Sequence, residues 1–253
     1  MSNLKLKDRI ETYQDDNDYR LTRKLPIILS INGRSTSKVS NLLDKPFSQN
    51  FSHCIIETML KLCLEVEGVL FGYQHNDEIV LIVKNDQTIS TMPWYDNRVQ
   101  KIVSAVSSIA TLQFDKSARV EDLNLTNDLI FTTQAFVVPT IAEAINTLIY
   151  KQQYNFNTSL EFSCFYELLN KQLDKTAIKE MLYDLSTDEK IYLLKQECDI
   201  DFNEYPLSFR RGVACYRLPQ VVNNVVKNKW FINNKLPIFT KDQTFLNQIL
   251  RET

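Results

Sequence analysis

The chain has 253 residues, 44% of them hydrophobic and 24% charged, with a formal net charge of −2; this is apolar material enough for one large or two modest globular domains. A charge so near zero excludes a protein that coats nucleic acid by bulk electrostatics, so any such contact must be local. No apolar run approaches the roughly 18 residues that cross a bilayer, and residues 1–7 lack a signal-peptide core, so a cytoplasmic protein without membrane contact is expected, its five unclustered cysteines reduced and structural.

In chain order, a charged helix is expected over residues 6–19. The run Leu25-Pro-Ile-Ile-Leu-Ser-Ile31, followed by the turn pair Asn32-Gly33, reads as a buried central strand. Over residues 47–67, Phe51, Ile55, Met59, Leu62 and Val66 recur at helical spacing, and Gly68 stands where a helix stops. Two short β-prone runs, 69–73 and 79–83, flank Gln74-His75-Asn76-Asp77-Glu78, a hairpin with an acidic tip. A second helix is predicted over 97–112, a fourth strand over 129–138, and a helix over 140–150 introduced by Pro139. Beyond these lie helices at 160–173, 176–185, 188–196 and 240–250 and a short β segment near 213–216.

Strand, helix, strand, strand, helix, strand is the ferredoxin-like βαββαβ order, an α+β arrangement with one antiparallel sheet under two helices and its other face free. The palm of nucleotide polymerases is built this way, with metal-binding carboxylates at the end of the first strand and in the hairpin. Asn32 and Asp77 occupy those places here. Two regions are expected: a palm with its N-terminal helix over 1–145, and a mainly helical region over 146–253 packed on it.

The pieces LPIILSINGR, DKPFSQNF, GYQHNDE, PWYDNRVQKIVSAVSSIAT, FVVP, YKQQ, FNEYPLSFRRG and LPIFTKDQTFL occur in one order along nearly the whole chain. Together they resemble the tRNA-His guanylyltransferase-like family, most closely its bacterial-type branch of 3′-to-5′ polymerases that repair tRNA 5′ ends. The resemblance implies a nucleotidyltransferase that activates a 5′-monophosphorylated tRNA with ATP or GTP. The 3′-hydroxyl of an incoming nucleotide then attacks the activated phosphate. It implies two Mg²⁺ ions held by Asp77, the Gly33 carbonyl and the residue at Asn32, with Glu78 beside them. Arg34, Lys45, Asn76, Arg98 and Lys101 would bind the triphosphate, and Lys151, Gln152, Arg210 and Arg211 would contact tRNA or another structured RNA. The family's assembly implies a homo-oligomer, a tetramer.

Four departures bear on activity. Asn32 stands where the family has aspartate, which exchanges a charged metal bridge for a neutral amide oxygen. Phe131-Thr132-Thr133-Gln134 and Tyr150-Lys151 replace the family's Phe-Asp-x-Arg and Trp-Arg patterns. No histidine occurs in Tyr154-Asn155-Phe156-Asn157-Thr158-Ser159, against a dedicated tRNA-His enzyme. A palm that binds nucleotide or RNA with weakened catalysis, and another palm-fold nucleotide-modifying transferase, therefore stand as alternatives. Of the two histidines, His53 is expected to be structural and His75 solvent-exposed.

Overall fold

The computed structural model describes residues 5–34, 42–84, 91–123, 129–222 and 225–251. Helix α1, Leu6–Asp15, ends four residues earlier than expected and buries no side chain. Strand β1, Ile27–Arg34, is followed by α2, Gln49–Glu65, started by the Ser48 hydroxyl accepting from the Phe51 amide at 3.4 Å. Strands β2, Val69–His75, and β3, Glu78–Val83, form the expected hairpin. Helix α3, Val99–Val120, runs eight residues past the predicted stop, since no glycine or proline interrupts it. Strand β4, Ile130–Val137, completes the palm order.

Two expectations about the C-terminal half are corrected. The helices predicted at 140–150 and 160–173 are one, α4, Ile141–Asn170; nothing between Pro139 and Pro206 is glycine or proline, so the polar stretch at 150–159 carries no breaker. The division placed at 145/146 falls inside that helix. The second correction is that the short β segment expected near 213–216 is one arm of a longer hairpin. After α5, Lys175–Tyr183, α6, Thr187–Cys198, and the short α7, Leu207–Arg211, strands β5, Val213–Val222, and β6, Val225–Asn233, form a hairpin that extends the palm sheet. The sheet has six strands in the order β4-β1-β3-β2-β5-β6, all neighbours antiparallel. Helix α8, Gln243–Arg251, closes the described chain.

Alternation along β1 explains why both sheet faces are covered. Leu29 and Ile31 turn to α2 and α3, where they meet Ile55, Met59, Val106 and Phe114. Ile28 turns the other way and joins Phe71, Val80 and Ile82 under Ala144 and Leu148 of α4 and Leu246 and Leu250 of α8. The face expected to be free is therefore a second core, as its apolar residues demand. The far half of α4 leaves the sheet and builds a third core with α5 and α6, through Leu160, Leu168, Ile178, Leu182 and Leu194. One 30-residue helix, about 45 Å long at 1.5 Å per residue, thus ties both parts together.

Candidate functional site

The end of β1 and the tip of the β2–β3 hairpin are brought together by backbone geometry. His75 and Glu78 are register partners, so Asn76 and Asp77 alone make the turn, and Asn76 takes the positive φ of 51° that asparagine tolerates. The Gly33 amide donates to the Asp77 carbonyl at 3.0 Å. A Cβ on Gly33 would stand 3.3 Å from Asp77 Oδ2, so glycine here lets the carboxylate lie directly against the end of β1.

These residues open on a cleft of about 770 Å³. One wall is the segment leading into α2, where the Lys45 ammonium lies 5.1 Å from the Tyr166 ring centre, within cation–π range. The opposite wall is a stripe of α4 at four-residue spacing: Tyr150, Tyr154, Thr158, Phe162 and Tyr166 all line the cleft. Tyr150 and Tyr154 are 60% and 56% exposed, so two broad ring faces stand in solvent beside fixed charge. The spacing is present in the sequence, but the predicted break in this helix hides it.

Lys151 also faces this cleft. It forms an ion pair with Glu78, and Ser30 Oγ donates to the same carboxylate oxygen, Glu78 Oε1, at 3.1 Å. Asn32, the Cα partner of Glu78 in the sheet, donates through Nδ2 to Ser30 Oγ at 3.3 Å. Asn32, Lys45, Asn76, Asp77, Glu78 and Lys151 are therefore brought together. Arg34 ends β1 opposite Ile130, exposed and outside the cleft lining.

His75 is corrected from exposed to buried, at 1%. Its Nε2 lies 2.6 Å from the Phe209 carbonyl and 3.0 Å from Ser159 Oγ, which ties the hairpin to α4 and α7. Burial lowers its pKa to about 4, against a weaker opposing effect of the bond to Phe209, so the imidazole is neutral near pH 7. His53 is the exposed one, with Nδ1 2.8 Å from Glu121 Oε1.

Gln152 is corrected too, from an RNA contact to an interior bracket. It is 5% exposed, donates to the carbonyls of Arg211 and Pro237 at 3.3 and 3.0 Å, and accepts from the Phe239 amide at 2.8 Å. Beside it, across α4 from the cleft, Arg210 and Arg211 line a second cavity of about 490 Å³. Arg210 donates to the Tyr205 carbonyl at 3.0 Å and Arg211 to that of Leu236 at 3.1 Å. Burial, and then the charge of Arg211, lower the pKa of Arg210.

Arg98 and Lys101 stand elsewhere. Ser107 of α3 bonds to Thr133 at 2.8 Å, and Thr111 accepts from the Phe131 amide at 3.0 Å; Thr133 and Phe131 are the partners of Ile31 and Gly33. The helix therefore climbs toward the cleft as its numbers rise, and Arg98, nine residues before Ser107, lies about 14 Å lower at 1.5 Å per residue. That is the opposite end of the sheet. Arg98 stands at the N-cap position of α3 there, and its Nε is 3.1 Å from Asp18.

The family model described as Thg1, tRNAHis guanylyltransferase, matches residues 7–139. The curated relative tRNA(His) guanylyltransferase 1 of Arabidopsis thaliana is 26% identical over 235 residues, covering 88% of this chain and 39% of its own length; the chain thus spans about two fifths of that protein. Among solved structures, a bacterial tRNA(His) guanylyltransferase (Thg1)-like protein in complex with ATP superposes with a TM-score of 0.83 at 23% identity, covering 98% of this chain and 99% of that one. A bacterial Thg1-like protein in complex with GTP gives 0.75 at 22%, covering 97% and 98%. At such identities the likeness establishes the fold, a palm whose added strands and helices are shared along nearly the full chain.

Proposed function

The chain belongs to the tRNAHis guanylyltransferase (Thg1) family, and on that premise we propose that it is a nucleotidyltransferase adding nucleotides to tRNA 5′ ends in the 3′-to-5′ direction, with ATP or GTP as substrates. The observation that carries this reading is the cleft where Asp77, backed by Gly33, and Asn32 meet two lysines and a tyrosine stripe. Both proposed steps are phosphoryl transfers, activation of a 5′-monophosphate and attack on it by a nucleotide 3′-hydroxyl, and positioning with charge neutralisation supplies most of their catalysis. Lys45 serves phosphate oxygens as a point charge. Asn76 offers an amide to the same oxygens, and Tyr150 and Tyr154 offer ring faces to bases. Arg34, at the edge of the site, and Arg210 and Arg211, across α4, serve the RNA backbone.

The Asp77 carboxylate, the Asn32 amide oxygen and the Gly33 carbonyl form an all-oxygen donor set that suits a hard cation. Bound there, Mg²⁺ would neutralise triphosphate charge and acidify the attacking hydroxyl. The set fits one ion. Glu78 is committed to Lys151 and Ser30 and position 32 carries a neutral amide, so Asp77 is the one carboxylate of the set. Asn32 is also what favours a second reading, a palm that binds nucleotide and turns over slowly.

Arg98 and Lys101 reach a triphosphate only if another copy of the chain presents them, so a homo-oligomer, a tetramer, belongs to the proposal. No helix among the described residues is long and apolar enough to cross a membrane, and we place the protein in the cytoplasm. The test is to incubate the chain with a 5′-truncated tRNA, ATP, GTP and Mg²⁺ and to weigh the products. RNA lengthened at its 5′ end supports the reading; a cyclised or otherwise altered nucleotide with unchanged RNA refutes it, and bound nucleotide without any product favours the second.

A further inference from the structure

The hydrogen bonds behind Asn32 have a direction. Lys151 can only donate and the Glu78 carboxylate can only accept, while Ser30 has a single proton. That proton goes to Glu78 Oε1 at 3.1 Å, beside the Lys151 ammonium on the same oxygen. Ser30 Oγ is then left only with lone pairs toward position 32, and it receives Asn32 Nδ2 at 3.3 Å. Ser30 is 7% exposed, and the Glu78 and Lys151 side chains are 13% and 22% exposed, so water competes weakly for these bonds. The Lys151 and Ser30 donors are both satisfied at Glu78, so the Ser30 lone pairs that face position 32 are satisfied only if that position carries a donor.

We propose that Lys151, Glu78 and Ser30 form a one-directional positioning relay that is matched in polarity to asparagine, holding the Asn32 amide nitrogen inward and its oxygen toward the cleft as a neutral ligand. Asparagine at 32 is then an integrated part of this cleft rather than a lost carboxylate. An aspartate there would face a hydroxyl already committed to its cross-strand neighbour Glu78, setting two carboxylates against one proton. Its ligand role rests on the cation reading above; the polarity match does not.

Two measurements on the full chain separate these parts. In metal-free buffer, Asn32→Asp should lower the melting midpoint by about 3–6 °C, the size of one mismatched partly buried hydrogen bond in a domain of this length. Adding Glu78→Gln, which moves the carboxylate from 78 to 32 without changing the net charge, should recover at least half of that shift. An unchanged or raised midpoint in Asn32→Asp overturns the relay. Mn²⁺ binding to the ATP complex, followed by electron paramagnetic resonance, should give one ion per wild-type chain. Ser30→Ala should bind it about tenfold more weakly, as loss of a ligand's orienting partner does, while Ser30→Thr stays within twofold. Ser30→Ala binding within twofold of wild type overturns the positioning role, and a wild-type chain that binds no Mn²⁺ refutes the cation reading while the melting series still judges the relay.

Discussion

The two ends of the palm sheet put their charge in different settings: both hold ion pairs, but only one set lines the large cleft. At the Arg98 end, cations and anions are matched before any ligand arrives: Arg20 pairs with Asp18 and Asp96, Arg23 lies 2.5 Å from Asp96, and Arg98 lies 3.1 Å from Asp18. The Arg23 hydrogen bond, then the charges of Arg20 and Arg23, hold the Asp96 carboxyl below the usual range against its own desolvation. At the Asp77 end, charge lines an open cleft, and the backbone has been shaped at Gly33 and Asn76 to put it there.

That contrast predicts unequal consequences. Asp77→Ala should reduce 5′ incorporation by about a thousandfold or more, since it removes the sole carboxylate of the donor set. If Arg98 serves the cleft of another copy, Arg98→Ala should also be inactive, and mixing it with Asp77→Ala should restore roughly a quarter of wild-type activity, the share of clefts that combine an intact Asp77 with an intact Arg98 in a two-fold pair. A mixture as inactive as its parts would show that the two ends never meet. Gly33→Ala presses a methyl against Asp77 Oδ2, at 3.3 Å, and should cost about 10- to 100-fold in incorporation with a small change in stability.

The smallest effect concerns His75, which fastens the hairpin behind the cleft. Its folded pKa, about 4, is below the ordinary histidine value of 6.5, so below pH 6.5 the unfolded chain takes up a proton that the folded chain refuses. Stability should thus fall as pH drops from about 6.5 to 4, by up to about 3 kcal/mol. Denaturant titrations at pH 7 and pH 5 should show the loss, and His75→Asn should flatten it; an equal slope in both proteins would place its origin elsewhere.

How far the sequence led differs between these regions. The palm order was legible because its strands are short apolar runs and its helices amphipathic, and Asp77 because a hairpin tip is a local feature. The merged helix α4 was not, since Tyr150 to Ser159 looks polar when it is in fact the wall between two cavities. Strand β6 escaped because Lys227, Asn228 and Lys229 read as loop, although an edge strand tolerates such charge on a solvent side. Gln152 and His75 were misplaced because burial of a polar side chain depends on distant carbonyls, of Pro237 and Phe209, that no local pattern announces.

The central claim, that the Asp77 cleft transfers nucleotides to RNA 5′ ends, is tested most directly by single-turnover incorporation of labelled nucleotide onto a 5′-truncated tRNA. Wild type and Asn32→Asp would be compared across a Mg²⁺ titration. The expected result is incorporation by the wild-type chain whose rate still rises in the millimolar range, as a donor set with one carboxylate requires. No incorporation by either chain at any Mg²⁺ concentration would contradict it.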